Sequence, residues 1–300
     1  MTFKPIVSAQ NEQYRLLCRA ASEARFRRKH GYMWIEGERL VRDFLLRAGG
    51  LADRWRPTML VVSASLVDSP LARDASRLAE STVSPPLQVA IPDALFGGLS
   101  QLVHGPGLGL LVQFVAAAGP EVAPQLAGSA DGVDADGQRA LPDVVLLDRI
   151  SDPGNLGGLL RSAAAAGVRQ AWLLKGSAEA HSPKALRAGM GAQFGLIIRE
   201  ELEIDQLHQA MAQMGAQMVL TVAAETPGVT RLHQASWMDQ ATPLVWAMGQ
   251  EGSGLSPVLL DWPNARSLTI DQTDWVESLN VNAAAAVCLF ERRRRLLCSD

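Results

Sequence analysis

The stretch Asp152-Pro153-Gly154-Asn155-Leu156-Gly157-Gly158-Leu159-Leu160-Arg161-Ser162-Ala163 decides how this chain is read. Just before it, Val144-Val145-Leu146-Leu147 is a short apolar run of the kind that forms a buried strand. Asp, Pro and Gly then make a turn, and a helix follows with Asn155 as its expected N-cap. Gly167 ends that helix, and Ala171-Trp172-Leu173-Leu174 opens the next strand. Strand, helix, strand is the unit from which parallel sheets are built.

Arg161 is the conspicuous charge in that helix. It lies four residues after Gly157, and helical side chains lean towards the N-terminus, so its stem can run over the bare glycine towards Asn155. A cation there would sit beside free N–H groups at the carboxyl end of a strand, the ligand end of an α/β sheet. The same residues also fit a solvated arginine and a plain helix cap.

Outward from this stretch, 300 residues with 48% hydrophobic and 20% charged side chains give room for two domains. No apolar run reaches the length of a membrane span, and residues 1–10 lack a signal-peptide core, so no membrane partner and a cytoplasmic location are expected. Cys18, Cys288 and Cys298 form no CxxC pair and have no histidines clustered around them, which argues against a disulfide framework or a structural zinc. The five histidines are scattered and none is assigned a catalytic role. Net charge is −3, yet residues 1–56 carry 12 Lys and Arg against 6 Asp and Glu, so the basic surplus sits at the N-terminus.

Residues 11–28 read as one helix. The cluster Arg25-Phe26-Arg27-Arg28-Lys29-His30 mixes guanidinium groups with an aromatic ring, which suits phosphates and unpaired bases, or equally a solvated helix end. Strands are expected at 33–35, 59–62, 87–89 and 108–115, with helices at 39–48, 71–80 and 92–99 between them, a compact α/β domain. Gly105, Gly107 and Gly109 precede a strand instead of following one, so they mark a turn and not a dinucleotide loop.

Residues 116–141 are dominated by Ala, Gly, Pro and Asp without apolar periodicity, and are expected to be a flexible linker. Beyond it, strands are expected at 196–198, 218–223, 244–248 and 268–270, and helices at 183–190, 204–214 and 283–291. The strand at 244–248 runs into Gly249-Gln250-Glu251-Gly252-Ser253-Gly254-Leu255, and the strand at 268–270 leads towards Glu277-Ser278-Leu279-Asn280-Val281-Asn282. Parallel strands would bring these loops and the one at 152–155 to a single edge.

At these residues the chain resembles the SpoU, or TrmH-like, branch of the SPOUT RNA methyltransferases. The family's N-x-G-x-x-x-R-x-A is matched by Asn155, Gly157, Arg161 and Ala163, its G-x-E-x-x-G-L by Gly249, Glu251, Gly254 and Leu255, and its E-S-L-N-V by residues 277–281. The resemblance covers roughly residues 142–297 and, more weakly, an N-terminal ribosomal-protein-like domain through Glu36-Gly37-Glu38-Arg39. It implies an α/β chain with a small RNA-binding domain over 1–115, the linker over 116–141, and a SPOUT domain over 142–300 whose parallel sheet is tied in a deep trefoil knot. It further implies a homodimer through the C-terminal domain. Two departures stand out: Ile270-Asp271-Gln272 where the family has Ile-Pro-Met, and Asn282 where it has serine. The missing proline loosens the adenosine-side loop, but family contacts there are mainly backbone, so cofactor binding is expected to survive.

What the resemblance implies chemically is transfer of a methyl group from S-adenosylmethionine to a ribose 2′-hydroxyl of RNA, ribosomal RNA first and transfer RNA second. Arg161 maps to the family's catalytic arginine. A guanidinium with a pKa above about 12 is a poor base, so holding a phosphate and stabilising a developing alkoxide is its expected role. Asn155, Glu251, Ser278 and Asn280 would orient Arg161 and the ribose, while Gly249, Gln250, Ile270, Leu279 and Val281 would contact the cofactor. No metal is implied. A non-catalytic knotted RNA-binding module is the alternative. A nicotinamide enzyme of the doubly wound type is a second rival, but the chain lacks a G-x-G-x-x-G after any strand and an acidic residue about twenty positions later. Gly158, Ser162 and Ala165, with residues 283–286, offer small-residue faces for core packing or for the dimer seam; residues 292–295 read as a solvated helix end or a second RNA contact.

Overall fold

The computed structural model describes residues 3–52, 54–100, 105, 107–114, 141–224, 226–273, 275 and 278–298. Of the expected linker, 116–140 lie outside the described residues, as does Glu277 of the third loop, while Leu141 already begins a strand. Chain contacts group the molecule into two compact units, Met1–Ala116 with His181–Phe194, and Ala117–Ala180 with Gly195–Asp300.

In chain order the first unit contains β1 (Lys4–Pro5), α1 (Glu12–Ser22), α2 (Ala24–His30), β2 (Tyr32–Glu36), α3 (Glu38–Arg47), β3 (Trp55–Ser63), α4 (Pro70–Glu80), β4 (Leu87–Ile91), α5 (Asp93–Leu99) and β5 (Leu108–Phe114). Its sheet runs β1-β4-β3-β5-β2, with β5 antiparallel to both of its neighbours. The helix expected over 11–28 is broken at Glu23, whose backbone is extended (φ −103°, ψ 105°). The break turns Phe26 and Arg27 inward: Arg27 donates to the Ala20 carbonyl at 2.9 Å, and Phe26 stacks on Tyr32 with ring centres 5.9 Å apart. The buried Phe26 ring is therefore not on offer to bases, while Arg25, Arg28, Lys29 and His30 remain exposed. Gly109 lies inside β5, and its missing side chain leaves the space that the Trp34 ring fills, 2.1 Å from where a Cβ would stand.

The second unit contains β6 (Leu141–Asp148), α6 (Pro153–Ala165) and β7 (Val168–Leu174). Then comes α7 (Pro183–Gly189), which groups with the first unit. It continues through β8 (Ile197–Leu202), α8 (Ile204–Met214), β9 (Gln217–Thr221), β10 (Thr230–Arg231), β11 (Leu244–Gly249), α9 (Pro257–Leu260), β12 (Arg266–Thr269) and α10 (Val281–Cys298). Residues 181–194 sit with the first unit because Leu186 and Phe194 enter its core, Phe194 edge-on to Phe44 at 5.1 Å.

The sheet of this unit, ordered β10-β12-β9-β11-β6-β7-β8, is parallel at every pairing. Apolar runs such as Leu244 to Met248 are buried on both faces, as parallel strands require. One face packs against α6 and α10 through Leu156, Leu160, Ala163, Ala285 and Leu289; the other packs against α8 and α9 through Leu207, Met211 and Leu259. From β6 the chain steps outward to β7 and β8, and its later strands lie on the other side, so the order reverses between β6 and β11. Such a reversal opens a crevice at the carboxyl ends of the strands.

Two local expectations are corrected. The N-cap of α6 is Asp152, whose Oδ1 accepts the Asn155 N–H at 2.9 Å, with Pro153 at the first helical position; Asn155 is the third residue of the helix. Nor is 292–295 a solvated end throughout: Arg292 is fully buried, Arg293 donates to the Ala166 carbonyl, and Arg295 reaches the Ala235, Leu232 and His233 carbonyls, while Arg294 is exposed. The last helix runs on to Cys298 instead of ending near 291. Among the described residues, no helix is long and apolar enough to cross a membrane.

Candidate active site

The parallel registers bring the ends of β6, β9, β11 and β12 to one edge, and a cavity of about 1150 Å³ opens there. Eight of the expected site residues line it: Gly249, Gln250, Glu251, Ile270, Ser278, Leu279, Asn280 and Val281. Asn155 lines a recess of about 120 Å³ that shares Gln250, Glu251 and Val281 with the larger cavity. Arg161 lines neither. It is exposed, and among the described residues it makes no hydrogen bond or ion pair. Six residues separate it from Asn155, which is about 120° around a helix, so the two side chains leave α6 on different sides. Within one chain Arg161 is not among the residues that line the mouth beside Asn155.

The glycine-rich loop after β11 folds back on itself. Gln250 and Gly254 exchange backbone hydrogen bonds of 3.1 and 2.9 Å, and Gly252 and Gly254 take left-handed backbone conformations, φ +86° and +65°. A Cβ on Gly249 would stand 2.3 Å from the Gly254 backbone, so the loop closes only over glycine. Its tip carries Glu251, exposed at the mouth. A residue the sequence reading passed over anchors the loop: Asp148, buried at the end of β6, accepts the Ser256 N–H at 2.5 Å and the Arg149 Nε–H at 3.1 Å. The only sequence signal was an acid at the end of an apolar strand.

A line of hydrogen bonds joins the three loops. Asn280 Nδ2 donates to Glu251 Oε1 at 2.6 Å, the Asn282 backbone N–H donates to Asn280 Oδ1 at 2.9 Å, and Asn282 Nδ2 donates to Asn155 Oδ1 at 3.4 Å. At the far rim Asp271 accepts from Arg231 Nη1 and pairs with His233 Nδ1 at 2.7 Å. Desolvation pushes the Asp271 carboxyl up, but the combined hydrogen bonds and charges of Arg231 and His233 hold it below its ordinary value. That pairing ties Asp271, which stands where the family has proline, to Arg231 of β10 and to His233 just beyond it. The cavity floor includes Met248, Leu268, Ala284 and Cys288. Burial pushes the Cys288 thiol up to about 12, leaving it a neutral, inert part of the wall.

The site thus combines an apolar floor and close-approaching glycine backbone with a polar line of amides and one carboxylate at the mouth. That arrangement can bind a flat, partly apolar molecule inside and orient a hydroxyl outside.

The model of the SpoU rRNA Methylase family matches residues 142–290. A Synechocystis sp. protein described as an uncharacterized tRNA/rRNA methyltransferase is 36% identical over 152 residues, 50% of this chain and 53% of that protein. The 23S rRNA (guanosine-2′-O-)-methyltransferase RlmB of Bordetella pertussis is 30% identical over 152 residues, 51% of this chain and 59% of that protein. The chain spans about half the length of the curated relatives it matches. The crystal structure of an AdoMet-bound rRNA methyltransferase from Sinorhizobium meliloti superposes with a TM-score of 0.76 at 24% identity, covering 98% of each chain, a likeness of fold.

Proposed function

We propose that this chain, whose residues 142–290 match the SpoU rRNA Methylase family, methylates a ribose 2′-hydroxyl of RNA. The observation that carries the reading is the hydrogen-bonded line from Glu251 through Asn280 and Asn282 to Asn155, which ties all three family motifs together at the mouth of one cavity. Ribosomal RNA is the proposed substrate class, with transfer RNA second; the names of the relatives support that order. Residues 1–115 are proposed as the RNA-binding part and 142–300 as the catalytic part. The exposed Arg25, Arg28 and Lys29 supply cations for phosphates.

S-adenosylmethionine fits the cavity: the apolar floor suits an adenine ring, and the loop that closes over Gly249 lines the cavity with its backbone. Gly249, Gln250, Ile270, Leu279 and Val281 would hold it, and when bound it supplies the methyl group from its sulfonium. Its binding segment is proposed to be tied in the trefoil knot that the family resemblance implies. Glu251 and Asn280, fixed to each other at 2.6 Å, hold the ribose so that its 2′-oxygen faces the cavity, and Ser278 adds a hydroxyl at the same mouth.

Arg161 stabilises the oxygen as charge develops on it and holds the neighbouring phosphate. Because it is exposed and lines neither cavity of its own chain, we place its action across a homodimer, at the partner's mouth. A stripe of exposed apolar side chains on α10, Val287, Phe290 and Leu297, supports such pairing through the C-terminal unit. The reading is tested by mapping 2′-O-methyl groups on ribosomal and transfer RNA after incubation with the protein and S-adenosylmethionine. Arg161→Ala should lower the rate by about 10² to 10³ with folding unchanged, the scale of losing one charge-stabilising donor; a variant as fast as the parent overturns the role given to Arg161.

A further inference from the structure

We infer that Asn282 is a positioning residue that sets which way the Asn155 amide faces, and that Gly158 exists in this chain to make room for it; the inference rests on the methyl-transfer reading. An asparagine amide can be turned either way, and its hydrogen bonds decide which end points where. Asn282 Nδ2 faces Asn155 Oδ1 at 3.4 Å, so the oxygen is committed to the seam between α6 and α10. What Asn155 has left for the recess that it and Glu251 both line is its amino group. The recess then offers both a hydrogen-bond donor and an acceptor, the pair needed to hold a hydroxyl in one orientation. The Asn282 backbone N–H does the same for Asn280, occupying its oxygen at 2.9 Å and leaving its amino group to Glu251. That second bond survives a change of side chain at 282, whereas the first does not.

The fit is tight. A Cβ on Gly158 would stand 2.6 Å from Asn282 Nδ2 and 2.9 Å from its Cγ, closer than real side-chain contacts come. The small-residue face of α6 is therefore spent, at Gly158, on a side chain of the same chain. The serine that the family places at this position would be a shorter group, leaving room there. Gly158 and Asn282 are thus one device in this chain, and substitutions at the two should not add.

The experiment is a cycle of Gly158→Ala, Asn282→Ser and the double variant, read by single-turnover methyl transfer, by S-adenosylmethionine affinity and by the side-chain amide resonances of Asn155 in the full-length protein. Asn282→Ser should slow transfer by about tenfold, the scale of one lost orienting hydrogen bond, with cofactor affinity unchanged. Gly158→Ala should slow the parent protein but add nothing in the Asn282→Ser background. The Asn155 amide resonances should shift in Asn282→Ser. Unshifted resonances, an unchanged rate, a parallel loss of cofactor affinity, or equal harm from Gly158→Ala in both backgrounds each overturn the inference. A parent protein that methylates no RNA while its Asn155 resonances still answer to Asn282→Ser would sink the assigned reaction and uphold the positioning.

Discussion

The two ends of α10 carry the same kind of polar chemistry to opposite purposes. Near its start, Asn280 and Asn282 reach across to Glu251 and Asn155, half-buried or exposed, and of these Asn280, Glu251 and Asn155 line the cavities. Towards its other end, Arg292 is fully buried and spends its whole fork inside the protein. Nε and Nη2 bind the two oxygens of Asp143 at 3.1 and 3.3 Å, and the remaining N–H groups reach the carbonyls of Met238, Gln240 and Thr242. Asp143 is completed by Trp246 Nε1 at 2.9 Å and the Leu244 N–H at 3.1 Å. A polar group that is sealed and fully partnered specifies the fold, while one that keeps a free valence beside a cavity is available to a ligand.

The sealed end should give the largest effect. Burial pushes the Asp143 carboxyl above its ordinary range, with Arg292, Trp246 and Leu244 pulling the other way. Arg292→Met leaves that carboxyl without its main counter-charge, and should cost about 3–5 kcal/mol in urea unfolding. Asp143→Leu combined with Arg292→Met should recover much of the loss, since an apolar pair of similar volume is often neutral. A cost for the single variant below about 1 kcal/mol would erase the contrast between the two ends.

The open end should show the reverse profile. Asn280→Ala removes the amide that holds Glu251 in place at the mouth, and so should slow methyl transfer roughly ten- to a hundredfold, the scale of a misplaced orienting group. Because Asn280 and Glu251 are both exposed, unfolding should move by no more than about 0.5 kcal/mol. A large shift in unfolding with unchanged transfer would make this end structural as well.

Much of this was legible in the sequence because parallel strands announce themselves as apolar runs and their loops as glycine. Val144 to Leu147 and Leu244 to Met248 form the expected strands, and Glu251 and Asn280 line one cavity. What was not legible depends on distant partners. The two-residue strands Lys4–Pro5 and Thr230–Arg231 carry no run to detect. Arg292 looks like surface until Asp143, far away in sequence, is brought beneath it. Asp152 and Asn155 are both capping residues, and Pro153 at the first helical position is the local signal that favours Asp152. For Arg161, the four-residue spacing from Gly157 suggested a path towards Asn155, but the six residues between Arg161 and Asn155 already put the two side chains about 120° apart around α6.

The smallest expected effect lies between the two ends. Glu291 sits one residue before Arg292, and Arg294 donates to it from Nε and Nη2, each at 2.8 Å, while Arg295 donates from Nε at 2.7 Å. The hydrogen bond from Arg294, against some desolvation and with help from Arg295, holds its carboxyl at about 2. A carboxyl lowered on folding contributes stability that is present above its ordinary value and is lost as pH falls towards the folded value. Its contribution should therefore fade between about 4.5 and about 2. The Arg294 side chain is 60% exposed, so solvent screening keeps the gain to a few tenths of a kcal/mol, of the order of other surface pairs. Glu291→Gln should lower the unfolding free energy by that amount at neutral pH and by nothing near pH 2. A loss approaching that of Arg292→Met would mean that the sealed network extends one residue further along the helix than its buried hydrogen bonds indicate.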